Sequence, residues 1–173
     1  MLLRRYAPVL VVVLTQLAIL AAIPFKKVLA LQHGVEVVLQ TRPVDPYGIL
    51  EGYYVTLTYE IEEPDSALFE PGLHPNERVW ITVERAEPAW RPVSVTRNRP
   101  GSTRDRTSLP ARCEGRRCPL EGVGKLYIPE AQRHHIDHLM AETRGSALVD
   151  IRVDDQGNAI VRHLRVGGQT FGD

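Results

Sequence analysis

Two cysteines, three clustered histidines and a run of arginines are the residue types here that could do chemistry. Cys113 and Cys118 lie five apart around Gly115, in the stretch Cys113-Glu114-Gly115-Arg116-Arg117-Cys118. On the oxidising side of a membrane, such a pair most simply forms a disulfide that closes a small loop. The functional alternative is a redox pair, because Arg116 and Arg117 would lower a thiol pKa. His134 and His138 stand at i, i+4, a spacing that can place two metal ligands on one helix face. No His-Glu-x-x-His arrangement accompanies them, and the plain reading is a surface helix with one partly buried histidine. Seven arginines fall between Arg97 and Arg117, against only Asp105 and Glu114. Arg112, Arg116 and Arg117 form the candidate basic patch, suited to anionic lipid headgroups or an acidic partner. The alternative is a solvated loop whose charges are screened.

Other catalytic signatures fail on spacing. Gly122-Val123-Gly124-Lys125 lacks the spacing and the Ser/Thr of a phosphate-binding loop. There is no Gly-x-Ser-x-Gly elbow, and nothing pairs a serine with Lys125. No catalytic residue, metal ligand or cofactor is expected.

The elements that would position these residues begin with an uncharged stretch. Tyr6 to Phe25 carries no charge over 20 residues, which as a helix would span about 30 Å, the thickness of a bilayer core. Arg4 and Arg5 precede it, and Lys26 and Lys27 follow. Gln16 near its middle is a candidate contact to another membrane helix. A cleaved signal peptide is the rival, with Val28-Leu29-Ala30 as a cleavage site, but the apolar run is long and two lysines stand before that site. The expectation is an anchor over residues 1–27 and an extracytoplasmic domain over 28–173, in a cell (inner) membrane. The partners expected are the bilayer and a multi-span membrane protein.

Formal charge is zero, but removing the four flanking cations from 21 basic residues leaves 17 against 21 acids, a net of −4 for residues 28–173. A mildly acidic domain is a poor phosphate binder, so nucleic acid is not an expected partner.

Past Gly34 the hydrophobic period changes to two. Gly34–Gln40 reads as a strand, followed by a loop rich in proline over 41–48. In Gly52–Glu62, Tyr53, Val55, Leu57, Tyr59 and Ile61 share one face, and Tyr54, Thr56, Thr58, Glu60 and Glu62 the other. Tyr54 is the better candidate for a contact surface. Tyr59 is a further candidate, although its apolar face makes it a core residue with its hydroxyl reaching the sheet edge. Val79–Arg85 and Trp90–Thr96 read as a hairpin through Pro88, Asn98–Cys118 as a long irregular loop, and Leu120–Tyr127 as a weak strand. Pro129–Thr143 is the expected helix, with His135, Ile136, Leu139 and Met140 inward and Gly145 ending it. Ala147–Val153 and Ala159–Val166 flank a turn at Asp154–Asn158. The expected fold is mainly β (α+β): a transmembrane helix, then a small antiparallel barrel- or sandwich-like domain of six or seven strands with one packed helix.

Gly52-Tyr53-Tyr54-Val55-Thr56-Leu57-Thr58-Tyr59 resembles the motif of the GDYXXLXY family of bacterial membrane-anchored proteins. Gly52, Tyr54, Leu57 and Tyr59 match it; Tyr53 stands where the family has Asp. Pro43-Val44-Asp45-Pro46 before the motif, Tyr127-Ile128-Pro129-Glu130 after it and the turn at Asp154 to Gly157 also resemble family segments. The resemblance implies an N-terminal anchor and a setting near multi-span membrane proteins, and it brings no established activity. The departure at Tyr53 means that chemistry resting on that Asp would be lost here.

Three functions follow as expectations: an accessory domain that contacts a multi-span membrane protein; a β-barrel module that binds a small ligand or envelope component in a cavity lined by Tyr53–Ile61; and an enzyme using His134 and His138 or the cysteines. An exposed apolar patch favours the first and an enclosed cavity the second.

Overall fold

A computed structural model of the chain describes residues 10–20, 34–42, 50–51 and 54–172. Gly52 and Tyr53 of the motif, the proline loop over 43–48 and the flanking cations Arg4, Arg5, Lys26 and Lys27 lie outside the described residues.

Residues 10–20 form helix α1, and Thr15 donates its hydroxyl to the Val11 carbonyl within it at 2.8 Å. Among the described residues, no helix is long and apolar enough to cross a membrane. The remaining ends of the uncharged stretch, 6–9 and 21–25, are not described.

The rest is mainly β, built of antiparallel sheets. Strands β1 (Val35–Gln40), β8 (Leu148–Val153), β9 (Ala159–Val166) and β10 (Gln169–Phe171) make one sheet in the order β1-β8-β9-β10. A second contains β2 (Leu50–Glu51), β3 (Tyr54–Thr56) and β7 (Lys125–Tyr127), with β3 central. The third places β4 (Arg78–Glu84) between β5 (Arg91–Thr96) and β6 (Arg106–Arg112).

Short backbone links join the sheets. Thr41 bridges to Tyr59, carrying β1 towards β3. The Trp90 amide donates to Val38 at 2.8 Å, which seats the start of β5 on β1. Ala111 bridges to Leu120, so the chain leaves β6 and leads directly towards β7.

Alternation explains what lies inside. Val55, Leu57, Tyr59 and Ile61 are buried as the period-two pattern requires, together with Val37, Leu39, Val149, Ile151 and Leu164 of the first sheet and Val79, Ile81 and Val83 of β4. The regular strand is shorter than the alternation. The regular ladder ends at Thr56, with the Leu57 amide still donating to Gly124 at 2.9 Å and Tyr59 bridging to Thr41, and Glu60–Glu62 turns into a 3₁₀ helix.

The segment 98–118, expected as an irregular loop, contains β6. Arg106–Arg112 pairs with β4 over all seven of its positions, from Arg106 opposite Glu84 to Arg112 opposite Arg78. Thr107 and Ser108 make the segment polar in sequence, yet both side chains are buried and hydrogen bonded. Thr82 and Ser108 hydroxyls meet at 3.1 Å, and Thr107 and Ser102 at 3.0 Å. Pro110 also lies within this edge strand, where a missing N–H is tolerated.

The expected C-terminal helix is a 3₁₀ turn over Glu130–Gln132 running into α2 (Arg133–Glu142). Ile136, Leu139 and Met140 are buried, and the Gly145 amide closes the end by donating to Met140 at 2.7 Å. His135, expected inward, is exposed. Its Nε2 meets the Gln169 side chain at 2.7 Å, and its ring stands edge-on to Phe171. Both partners belong to β10, a strand the polar Gly167-Gly168-Gln169-Thr170 run did not announce.

Candidate functional site

The disulfide side and the β7 side of the domain carry the candidate residues, and they are built differently. Cys113 and Cys118 are bonded to each other. Between them the Glu114 amide donates to Arg117 at 2.7 Å and the Arg117 amide returns to Glu114 at 3.3 Å, making a tight two-residue turn. Glu62 braces this turn from below. It is 3% exposed, yet its carboxylate accepts Arg117 Nη2 at 3.0 Å and the Leu120 amide at 3.2 Å. Its carbonyl accepts the Cys118 amide at 2.7 Å. A buried carboxylate persists only when paired and hydrogen bonded in this manner. The signal for Glu62 in the sequence was its place at the end of the alternating run, on the face read as wet.

The basic patch is therefore partly spent on structure. Arg117 is held by Glu62, and Arg112 donates to the Asn76 carbonyl at 3.3 Å. Arg116, at the turn's tip, is exposed. Farther along the arginine run, Arg106 pairs with Glu84 at 2.8 Å and Arg97 clasps Glu77. The Arg97 hydrogen bond holds the Glu77 carboxyl well below its ordinary range, lowering it from 4.5 to about 2, with help from the His74 amide. Arg99 stacks over the Trp80 ring at 5.4 Å and donates to the Asp154 and Asp155 carbonyls, tying β4 to the β8–β9 turn.

The histidines do not converge. His134 and His138 are exposed on α2, and His138 faces Glu142 at 3.5 Å. Among the described residues, no group of three or more His, Cys, Asp or Glu is gathered to hold a metal ion. Gln16 is exposed on α1.

Of the motif tyrosines, Tyr59 is fully buried, and its hydroxyl donates to the Val123 carbonyl at 2.7 Å. Burial, reinforced by the nearby Glu62 charge, pushes its pKa well above the ordinary phenol value. It therefore serves as a neutral tie between the β3 extension and the approach to β7, and offers no contact surface. Tyr54 is half-buried on the opposite face, as the alternation requires. It lies edge-on to Tyr127 at 5.9 Å, and Lys125 Nζ sits 4.3 Å from its ring centre. Tyr127 is 73% exposed, the most exposed large hydrophobic residue described.

Tyr127 borders a cleft of about 850 Å³ between β7 and the first half of β9, lined also by Lys125, Leu126, Ile160, Arg162 and Phe171 among others. Among the described residues, its cations are Lys125 and Arg162, and no carboxylate lines it. The cleft is not an interior cavity. Val55, Leu57 and Tyr59 pack into the core, and Ile61 lines a smaller cleft of about 250 Å³ beside Gln40 and Trp90; Tyr53 lies outside the described residues.

No curated protein matches the chain, and no solved structure does. A family model described as GDYXXLXY protein matches residues 16–164, and the chain belongs to that family.

Proposed function

We propose that this chain is a single-pass, membrane-tethered accessory protein whose β domain contacts a multi-span membrane protein through the β3–β7 face. The observation that carries this reading is the exposed Tyr127 beside Tyr54 and Lys125, at the rim of an uncovered cleft. Exposed aromatic side chains with a neighbouring cation are the usual anchors of a protein contact. The anchor itself rests on the uncharged 20 residues from Tyr6 to Phe25 and their basic flanks, with Gln16 available to a neighbouring helix. The tethered domain faces the extracytoplasmic side, where the Cys113–Cys118 disulfide persists. The links from β1 to β5, from Thr41 to Tyr59 and from Ala111 to Leu120 support a barrel-like wall with one open seam at β7 and β9.

Capture from detergent extracts tests this. Tagged full-length protein, a form lacking residues 1–27 and a Tyr54→Ala/Tyr127→Ala form are compared, with copurifying proteins identified. The reading predicts a multi-span protein with the full-length form and its loss from the folded tyrosine variant. An identical set of copurifying proteins in all three forms contradicts it.

The cleft volume supports a second reading, since it lies in the range of small-ligand sites. On that reading the domain binds an envelope component outside the core rather than within it.

A further inference from the structure

The cleft has an architecture that its volume alone does not convey: two strand edges form its sides. β7 pairs with β3 on one side and is the outer strand of its sheet. β9 pairs with β8 along Ala159–Arg165, but β10 covers only Leu164, Arg165 and Val166 on its other side. Gly172, just past β10, lies against the Arg162 carbonyl, which a Cβ on it would meet at 2.2 Å, so the open edge of β9 among the described residues is 159–161. The two edges meet at one end, where a Cβ placed on Gly122 would lie 3.6 Å from the Ala159 carbonyl. From that point β7 runs on to Tyr127 and β9 runs on to Arg162, and the space between them is the cleft. Paired edges of this kind are templates for another strand, and proteins ordinarily cover or charge them.

We infer that the wedge is a strand-acceptor site for an extended, acidic polypeptide segment. The segment lies between β7 and β9, continues the lane of β10 along β9, and sets carboxylates opposite Lys125 and Arg162. Each edge alone is three residues long, too short to hold a peptide firmly. A strand between them gains main-chain hydrogen bonds on two sides, which is the strand-addition mode of recognition. Side-chain alternation then points every second residue at Leu126, Val161 and Phe171 and the others towards the rim. Charge chooses the partner, because among the described residues the lining holds two cations and no acid. The inference rests on the reading of this face as a contact surface and names the chemistry that the surface takes.

The test uses full-length protein in detergent and a labelled, capped heptapeptide alternating valine and glutamate, with its valine–lysine counterpart as control. Binding is followed by fluorescence anisotropy, and amide hydrogen exchange by mass spectrometry. The glutamate peptide should bind and slow exchange at residues 125–127 and 159–161. The lysine peptide should bind at least tenfold more weakly. Lys125→Glu/Arg162→Glu should reverse that preference, while Lys125→Arg/Arg162→Lys, which keeps both charges, should preserve it if the reversal variant unfolds. Equal binding of the two peptides, no binding of either, or binding without protection at both edges overturns the inference. The broader contact reading fails separately. If the membrane partner is still captured by the charge-reversed form, the contact face stands and the acidic-strand assignment falls. If the glutamate peptide binds but no membrane protein is ever captured, the converse holds.

Discussion

Two of the seams where sheets meet differ in how completely their polar groups are used. At the β6 seam, the chain from Glu62 to Leu120 is closed by a disulfide, a buried carboxylate and backbone hydrogen bonds from Cys118 and Leu120. At the β7–β9 seam, contact is made at Gly122 and Ala159 and then abandoned, leaving two edges, two cations and an exposed tyrosine. Satisfying every buried polar group stabilises a fold but uses up its capacity to bind. A region that is to bind must leave some of that capacity unmet. The β6 seam accordingly reads as architecture although it holds the cysteines and arginines, and the β7–β9 seam reads as the working surface although it holds little that catches the eye in a sequence.

Substitutions should divide along the same line. The largest expected effect is in the core common to both seams. Ile151→Ala removes a fully buried side chain of β8, and unfolding in denaturant should show a loss of about 3 kcal/mol. At the closed seam, Glu62→Ala leaves the Leu120 amide buried and unpaired and releases a half-exposed Arg117; thermal unfolding should report about 2 kcal/mol. Gly157→Ala probes the tie between β4 and the β8–β9 turn. Its backbone is left-handed, with φ +83°, and its Cβ would lie 2.4 Å from the Trp80 ring, so a loss of roughly 1–3 kcal/mol is expected. At the open seam, Tyr127→Ala should change stability by no more than about 0.5 kcal/mol, since its side chain is largely in water, while abolishing partner capture. A Tyr127→Ala form as unstable as Glu62→Ala would break the comparison.

A pH titration sharpens it further. Glu77 titrates near 2 when folded and nearer 4.5 otherwise. The unfolded chain therefore binds more protons in that interval, so the contribution of Glu77 is present above pH 4.5 and is lost as pH falls through 2. Glu77→Gln should flatten that part of the acid limb. Partner binding at the other seam should be indifferent to the substitution.

Much of this was legible in the sequence, for physical reasons that also explain what was not. The alternation from Val55 to Ile61 placed its residues correctly on the buried face because one side of that segment meets the core. The disulfide followed from two cysteines around a glycine in a short span. β6 was hidden because Thr107 and Ser108 satisfy their hydroxyls inside the protein, and polarity in a sequence does not say where a partner will come from. The arginine run looked like one basic surface, yet Glu62, Glu77 and Glu84, distant in sequence, claim three of its members. Tyr54 was visible as a contact candidate by its face alone. Tyr127, its partner across β3 and β7, was not, because only strand pairing brings the two together.

Site-specific photo-crosslinking in intact membranes tests the central claim most directly. A benzophenone amino acid is placed at position 127, on the open seam, or at position 116, on the exposed tip of the closed one. The account predicts a discrete adduct with a membrane protein from position 127 and none from position 116. An adduct from position 116 with none from position 127 would contradict it, moving the working surface to the disulfide turn and leaving the β7–β9 cleft as a gap in the wall.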